Sequence, residues 1–227
     1  LQILLDKFGA SFPSTRVFSA FARETAMAVS SKDDPDHAFM TWVEQEEILF
    51  RTLERHIVGE RITEGFAANN IVDVDGFIHF SLQVQNRRKS RVGYALENHL
   101  EQIFIEHNMT YTRGGKTENK SKPDFMFPSI DAYHDELFPV EKLTMLGVKS
   151  TCKERWRQVL AEAARIKDKH LFTLEPGIST NQTTEMRAKK LQLVLPQQLH
   201  ETYTDTQRSW LMNLDSLLSL VKERHPK

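Results

Sequence analysis

Two short segments decide the fold of this 227-residue chain: KPDFMF at residues 122–127 and TMLGVKS at residues 144–150. Each segment is largely apolar and is bounded by polar residues or proline, which is the pattern of a short buried strand. Pro123 stiffens the entry to the first strand, so Asp124 comes at its start, whereas Lys149 comes late in the second. If the strands are neighbours in one sheet, their polar ends meet.

The rest of the chain predicts a helical N-terminal part before an α/β core. Apolar residues at spacings of three and four predict helices after Ser14 and after Asp34–Pro35, and then over 72–84 and 87–107. Further strands are expected at 109–112, 170–174 and 191–195, with helices at 153–166, near 185 and at the C-terminus. We therefore predict a central mixed β-sheet flanked by helices over 86–227, preceded by a mainly helical part over 1–85.

Composition excludes several classes of protein. A single cysteine, Cys152, rules out a disulfide framework within the chain and favours a reducing, cytoplasmic compartment. The apolar runs are too short to span a bilayer, so no membrane partner is expected. The net charge of -1 argues weakly against a nucleic-acid protein, although carboxylates that hold metal ions would offset basic residues that hold DNA.

Asp124 and Lys149 have the spacing and residue types of a phosphodiester-hydrolysing site. Such a site needs carboxylates for divalent cations and a cation to offset negative charge in the transition state. In the PD-(D/E)XK motif a second acid lies two residues before the lysine, but here that position is Gly147. We expect Glu162, thirteen residues after the lysine, to fill the vacant place, and Glu97 to be a further acidic candidate. Carboxylate oxygens suit Mg²⁺.

Each of these residues also has an ordinary interpretation. A Pro-Asp dipeptide followed by a lysine arises by chance in many proteins. Lys149 alone is typical of a strand end, and Glu162 alone of a solvated helix. The interpretation as a catalytic site therefore depends on the surrounding sequence.

The surrounding sequence strongly resembles the catalytic domain of the EcoRII-type restriction endonucleases, which cut DNA at CCWGG or related CCNGG sites. The resemblance is dense from about residue 86 to 185. Its segments are NRRKSR (86–91), LE (96–97), FIEH (104–107), KPDF (122–125), FPS (127–129), AYHD (132–135), FPVE (138–141), VK (148–149), TCK (151–153), RWRQ (155–158) and HLFTL (170–174).

The resemblance implies a type II restriction endonuclease with a restriction-endonuclease-like core in a prokaryotic cytoplasm. Asp124, Lys149 and Glu162 would be the catalytic residues, with Asp124 and Glu162 as Mg²⁺ ligands and Glu97 as an accessory acid. It further implies a homodimer on double-stranded DNA that leaves 5′ overhangs, with residues 1–85 contacting DNA and dimerising. The namesake of the family has an N-terminal effector domain without a counterpart here, so the chain is expected to be either a stand-alone enzyme or a fragment.

Several residues are candidates for binding DNA. Lys153, Glu154 and Arg155 form a basic-acidic-basic triplet, which matches the donors and acceptors of adjacent G·C pairs and which in relatives reads the CC:GG half-site. The alternative is an ordinary charged helix start. Arg87, Arg88, Lys89 and Arg91 are candidates for phosphate contacts, or else a solvated helix face. Asn86 is a candidate for a base edge, and residues 113–122 for a mobile loop over the backbone.

Relatives of the family extrude the central base pair and stack it on a side chain from the N-terminal helices. Trp42 is the candidate for this platform, and its alternative is core packing at helical spacing. Trp156 and Trp210 are assigned to the core.

Three other functions remain open at this point. They are another PD-(D/E)XK nuclease that acts in repair or junction resolution, a DNA-binding module without catalysis, and a helical interaction protein. The first would lack base-specific cutting, and the second would lack cation-dependent cutting. The third leaves the α/β half of the chain unexplained.

Overall fold

A computed structural model describes residues 1–68 and 71–225, without the side chains of Ala68, Asn119 and Glu154. The α-helices are α1 (Gln2–Phe8), α2 (Thr15–Thr25), α3 (Pro35–Glu64), α4 (Val74–Glu106), α5 (Ile130–His134), α6 (Trp156–Leu160), α7 (Thr180–Ala188), α8 (Asp205–Arg208) and α9 (Leu214–Arg224). The strands are β1 (Ala67–Ala68), β2 (Ile71–Val72), β3 (Thr112–Arg113), β4 (Phe125–Phe127), β5 (Thr144–Lys149), β6 (Lys169–Thr173) and β7 (Leu191–Val194). Short 3₁₀ helices cover 118–120, 140–142, 153–155 and 197–202.

The chain divides into two compact units. The first comprises residues 1–28 and 41–99, and the second comprises residues 29–40 and 100–227. This division differs from the expected boundary between residues 85 and 86, because α4 continues as one helix through that point and residues 29–40 fold with the second unit.

The helical N-terminal part agrees with the sequence in its helix starts. The Ser14 side chain accepts a hydrogen bond from the backbone N–H of Val17 at the start of α2, and Asp34 accepts one from His37 at the start of α3. The two helices expected at 72–84 and 87–107 are one continuous helix, α4, because residues 85–86 carry no glycine, proline or capping interaction that would stop it. Neither α3 nor α4, nor any other helix in the described ranges, is apolar enough over its length to cross a membrane.

The first unit has an aromatic core and a buried ionic network. Leu4, Phe18, Phe21, Phe50 and Leu53 form the core. Two charged residues and a histidine, all fully or nearly fully buried, lie on α3 and α4: Glu46 pairs with Arg91 at 3.4 Å and lies 2.9 Å from Nε2 of His99, whose pKa is lowered by burial. Removing one member of such a network leaves a buried charge without compensation, so the network ties the two helices together.

The second unit is built on a five-stranded sheet in the order β3-β4-β5-β6-β7. The first two pairings are antiparallel, and β5, β6 and β7 run parallel to one another. The sheet is therefore mixed and is flanked by helices, as the sequence predicts. The core assignment of Trp156 is also confirmed, because its ring is fully buried against the sheet, and Trp210 packs partly buried on the same cluster.

Gly147 lies in the middle of β5, directly below α6. A Cβ atom at this position would approach the two γ-carbons of Val159 to 3.0 and 3.1 Å, which is closer than such contacts normally come. Val159 is itself fully buried. The position of the usual second acid therefore has no side chain because α6 packs against it.

The helix after Lys149 is shorter than predicted. It was expected over residues 153–166, but the chain forms a 3₁₀ turn at 153–155 and then α6 from Trp156 to Leu160. Ala163 adopts φ 49°, a left-handed conformation that an α-helix does not contain. The residues that follow α6 are therefore a loop, and Glu162 lies on this loop.

The contact between Gly147 and Val159 predicts a specific packing defect. Gly147→Ala should lower the free energy of unfolding by about 1–3 kcal/mol, because the added methyl group overpacks the interface with α6. Gly59→Ala is the matched control: Gly59 lies within α3 with no atom near its missing Cβ, and alanine there should stabilise by roughly 0.5–1 kcal/mol. Equal effects of the two substitutions in urea unfolding would contradict this account of the strand.

Candidate active site

Asp124 and Lys149 meet at one edge of the sheet. Phe125 at the start of β4 pairs with Leu146 in β5, so Asp124 lies beside the last residues of β5. Oδ2 of Asp124 accepts hydrogen bonds from the backbone N–H of Val148 at 2.6 Å and from Nζ of Lys149 at 3.1 Å. The side chains of Asp124 and Lys149 are 19% and 12% exposed, so the ion pair between them is largely shielded from water. We call this edge, where β4 begins and β5 ends, the catalytic edge.

Glu162 acts electrostatically on both of these residues from the loop after α6. Burial raises the pKa of its carboxyl from 4.5 to about 7, with Lys149 lowering it, Asp124 raising it and Lys169 lowering it. Its Oε2 atom is buried and accepts no hydrogen bond from the described residues. A buried carboxylate oxygen without a partner is costly, so this atom is poised for a ligand that the protein itself does not supply.

Lys169 holds the Glu162 loop, residues 161–166, by hydrogen bonds to its backbone. It is the first residue of β6, it is only 6% exposed, and its Nζ donates to the carbonyl oxygens of Ala163 and Ile166, each at 2.8 Å. The same Nζ also donates to the carbonyl oxygen of Glu162. Burial lowers the pKa of Lys169. This ammonium uses all three protons on the backbone of one short loop, and that backbone carries Glu162.

The amide groups of the Glu162 loop are held by Glu118 and Tyr133. Ala164 donates to the carboxylate of Glu118 at 3.2 Å, and Arg165 donates to the hydroxyl oxygen of Tyr133 at 3.3 Å. Tyr133 in turn donates to Glu118 at 2.6 Å, and burial raises its pKa to about 12, so the hydroxyl keeps its proton. Bonded at both its carbonyl and its amide groups, the loop is fixed before any ligand binds.

The predicted recognition segment, residues 153–155, directly follows the catalytic edge. Lys153 and Arg155 are exposed, and the side chain of Glu154 lies outside the described part of the structure. The turn is anchored by the backbone N–H of Cys152, which donates to Oε2 of Glu175 at 3.1 Å. Burial raises the pKa of the Cys152 thiol to about 12, so this cysteine is not a nucleophile.

The predicted phosphate contacts on α4 are mostly engaged within the first unit. Arg88 forms an ion pair with Glu54 at 2.7 Å, and Arg91 is 8% exposed and pairs with Glu46 at 3.4 Å. Arg87 is exposed, with its guanidinium 4.3 Å from the centre of the ring of Phe12. The sequence showed a basic cluster without acids, whereas the fold supplies acids from α3. Asn86 is exposed and stays a candidate.

Trp42 and Glu97 also lie in the first unit. Trp42 is only 5% exposed, and its ring lies 6.0 Å from that of His99, which is the environment of a core side chain. Stacking on an extruded base would require the ring to become exposed. Glu97 is partly buried on α4. The roles expected for both residues stay predictions.

The residues that hold the site together are not apparent from the sequence alone. Lys169, Glu118, Tyr133 and Glu175 bond to the backbone of the loops that carry Glu162 and the recognition segment. One signal was available: Lys169 precedes the apolar run of β6, and a lysine this buried needs polar partners.

The donor set at the catalytic edge fits a hard divalent cation held partly by its substrate. Across residues 1–68 and 71–225, no group of three or more His, Cys, Asp or Glu side chains is arranged to hold a metal ion. Mg²⁺ is typically bound by one or two carboxylates together with water and phosphate oxygens. Asp124 and the unpartnered oxygen of Glu162 meet that requirement.

Comparison with known proteins shows that the chain is similar to restriction enzymes. Type II restriction enzyme EcoRII of Escherichia coli is 42% identical over 218 residues, which are 96% of this chain and 52% of that protein. The chain therefore spans about half the length of this curated relative. Two solved structures share the fold: metal-depleted Ecl18kI in complex with uncleaved, modified DNA, and a restriction endonuclease PspGI–substrate DNA complex.

The structural matches cover nearly the whole chain. The Ecl18kI structure has a TM-score of 0.79 at 15% identity and covers 98% of this chain and 82% of that one. The PspGI structure has a TM-score of 0.72 at 11% identity, with 94% and 93% covered. At such low sequence identity, the structural matches show the fold alone. They confirm the predicted restriction-endonuclease-like core. A family model described as EcoRII C terminal matches residues 50–218, well over half of the sequence, and the chain belongs to that family.

Proposed function

We propose that this chain acts as a type II restriction endonuclease that hydrolyses double-stranded DNA at a CCWGG- or CCNGG-like site. The observation that carries the proposal is the meeting of Asp124, Lys149 and the unpartnered carboxylate of Glu162 at one sheet edge. Membership of the EcoRII C-terminal family supports the class of reaction. The recognition segment follows this edge by four residues, which puts the reading of bases close to the cutting of the backbone.

Asp124 and Glu162 are the proposed ligands of the Mg²⁺ ion. When bound, a divalent cation lowers the pKa of a water molecule and offsets charge on the scissile phosphate. The raised pKa of Glu162 means that its charged form is poorly stabilised by the protein alone. An added positive charge beside it favours that charged form. Glu97 is proposed as an accessory acid on the family resemblance alone.

Lys149 is proposed to place a fixed positive charge beside the phosphate. Its ammonium is held 3.1 Å from Asp124, so its position is set before DNA arrives. A cation fixed in advance stabilises developing negative charge without the cost of reorganising solvent. Asp124 is held in turn by the backbone of Val148, and the pair therefore moves with β5 as one unit.

Sequence reading is proposed to come from the recognition segment. Lys153 and Arg155 are exposed and can donate to O6 and N7 of guanine, and a carboxylate at position 154 can accept from N4 of cytosine. Among the candidates for backbone contacts, Arg87, Asn86 and the exposed Lys122 are the more accessible, whereas Arg88 and Arg91 already have acidic partners.

A near-symmetric target presents two equivalent strands, and one active site reaches one phosphate. We therefore propose that two copies act together, one on each strand, and that they leave 5′ overhangs. Extrusion of the central base onto Trp42 would require this buried ring to become exposed.

A prediction about catalysis concerns the three residues of the site. Asp124→Asn, Lys149→Met and Glu162→Gln preserve side-chain size but remove a charge, and each should lower the cleavage rate by about a thousandfold or more. Binding to the target duplex without metal should change little. Glu201→Ala removes an exposed carboxylate from the 197–202 turn and is the matched control. Cleavage by Glu162→Gln at the rate of the wild type would overturn the proposed site.

A separate prediction concerns recognition. Arg155→Ala should lose about 1–3 kcal/mol of discrimination between the target duplex and a duplex with one altered G·C pair. Lys122→Ala removes another exposed cation and should weaken binding to both duplexes equally. Competition binding at constant salt separates the two patterns. An equal loss on both duplexes for Arg155→Ala would show that Arg155 contacts phosphate rather than bases.

A further inference from the structure

The second unit has a pocket at the end of the sheet that lies opposite the catalytic edge. Strands β5, β6 and β7 run parallel, and Lys149 at the end of β5 pairs with Thr173, the last residue of β6. The pocket instead borders His170, near the start of β6, and Leu191, the first residue of β7. It therefore shares no residue with the proposed nuclease site.

The size of this pocket suits a small ligand. Its volume is about 260 Å³, just below the range of roughly 300–1,000 Å³ that is typical of small-molecule sites. A DNA duplex or a folded partner is far too large to enter such a space. We call it the basal pocket, and the residues of its lining that matter for binding are Asp168, His170, Arg187, Lys190, Trp210 and Arg224.

The basal pocket carries an excess of positive charge. Arg187 and Lys190 are exposed, and neither forms an ion pair with any residue in the described ranges. Arg224 is held in place, because its Nη1 donates to the carbonyl oxygen of Leu143 at 2.9 Å, and its other guanidinium nitrogens can still donate to a ligand. One carboxylate, Asp168, stands against these three cations. The balance of charge favours an anion.

His170 supplies the basal pocket with a buried polar atom that has no partner. The residue is only 4% exposed, and its Nδ1 forms no hydrogen bond with the part of the chain that the structure describes. Burial and the nearby guanidinium of Arg224 lower the pKa of His170 to about 4, so the ring is uncharged at neutral pH. A neutral ring nitrogen donates or accepts according to the tautomer, so Nδ1 can bond an oxygen of a ligand. Leaving such an atom unsatisfied is costly.

We propose that the basal pocket binds a terminal phosphate group, either inorganic phosphate or the phosphate of a nucleotide-sized phosphomonoester. Such a group carries about 1.5–2 negative charges at pH 7 and has strong acceptor oxygens. Arg187, Lys190 and Arg224 supply charged donors for these oxygens. Trp210 is partly buried and gives an apolar wall for the rest of a ligand. This binding site is additional to the proposed function and does not depend on it.

A phosphodiester within duplex DNA fits the basal pocket less well than a terminal phosphate. It carries one negative charge, so it gains less from three cations. Nucleotides on both sides of it also keep it from approaching an atom as deeply buried as Nδ1 of His170. A terminal phosphate is open on its free side and can enter the pocket.

Removal of two cations from the basal pocket tests the proposed site. Isothermal titration calorimetry at constant ionic strength, without divalent cations, measures the binding of inorganic phosphate, adenosine 5′-monophosphate and adenosine. The first two should bind to the wild type and adenosine should not. Arg187→Gln combined with Lys190→Gln should weaken binding of both phosphates by about tenfold or more, because charge-assisted hydrogen bonds are lost. Lys167→Gln combined with Lys189→Gln is the matched control: it removes two exposed cations outside the lining and should change neither dissociation constant.

Nuclear magnetic resonance of ¹⁵N-labelled histidine rings locates the bound phosphate. The signals of His170, identified by their loss in His170→Asn, should shift when phosphate is added. Those of His200, which is 6% exposed and lies outside the lining, should not. Tighter binding of the nucleotide than of phosphate would support a phosphomonoester ligand, and equal binding would support inorganic phosphate. Absence of phosphate binding, equal weakening by the two double variants, or displacement of phosphate from His170 by an unphosphorylated duplex would overturn the inference. Because the assay contains no divalent cation and measures no cleavage, the basal pocket can fail while the proposed nuclease site stands.

Discussion

The close packing of Val159 on Gly147 is the constraint on which the rest of the catalytic edge depends. With α6 pressed against β5, even a Cβ atom at position 147 would crowd Val159, and the acid that the motif normally carries there is proposed to come from elsewhere. The chain meets this constraint by ending α6 at Leu160 and turning through a loop, so that Glu162 reaches the same environment as Asp124 and Lys149. The helix that crowds one acidic position is therefore followed directly by the loop that carries the proposed replacement, Glu162.

A carboxylate on a loop is useful only if the loop is rigid, and the protein uses unusual groups to make it so. The ammonium group of Lys169 is buried away from water and donates to three carbonyl oxygens of the loop. Glu118 and Tyr133 accept hydrogen bonds from the amide groups of the loop. The carboxyl of Glu162 itself is left poorly solvated, with its pKa raised to about 7. Because this pKa lies above the usual 4.5, the group favours folding while protonated at low pH, and that contribution is lost as the pH rises through 7. The ionised carboxylate of Glu162 therefore destabilises the fold at the position where a cation is expected to bind.

The sequence predicts the positions of the candidate site residues in the fold better than it predicts their surroundings. The apolar segments around Asp124 and Lys149 identify two buried strands, and the glycine at 147 directs attention to Glu162. Helix and strand order follow from periodicity and capping at Ser14 and Asp34. The continuity of α4 was not predicted, because apolar periodicity fades where one side of the helix is exposed. The early end of α6 was missed, because the positive φ of Ala163 depends on bonds to distant residues.

The central claim is that Glu162 is a buried carboxyl whose charge the protein leaves to a cation. Nuclear magnetic resonance of isotope-labelled glutamate side chains, recorded as a function of pH without metal, measures this directly. The account predicts one glutamate carboxyl that titrates near pH 7, that is absent in Glu162→Gln, and that shifts to lower pH when the target duplex and Ca²⁺ are added. If every glutamate titrates near its ordinary pKa, or if the cation leaves the Glu162 titration unchanged, the account of this site is contradicted.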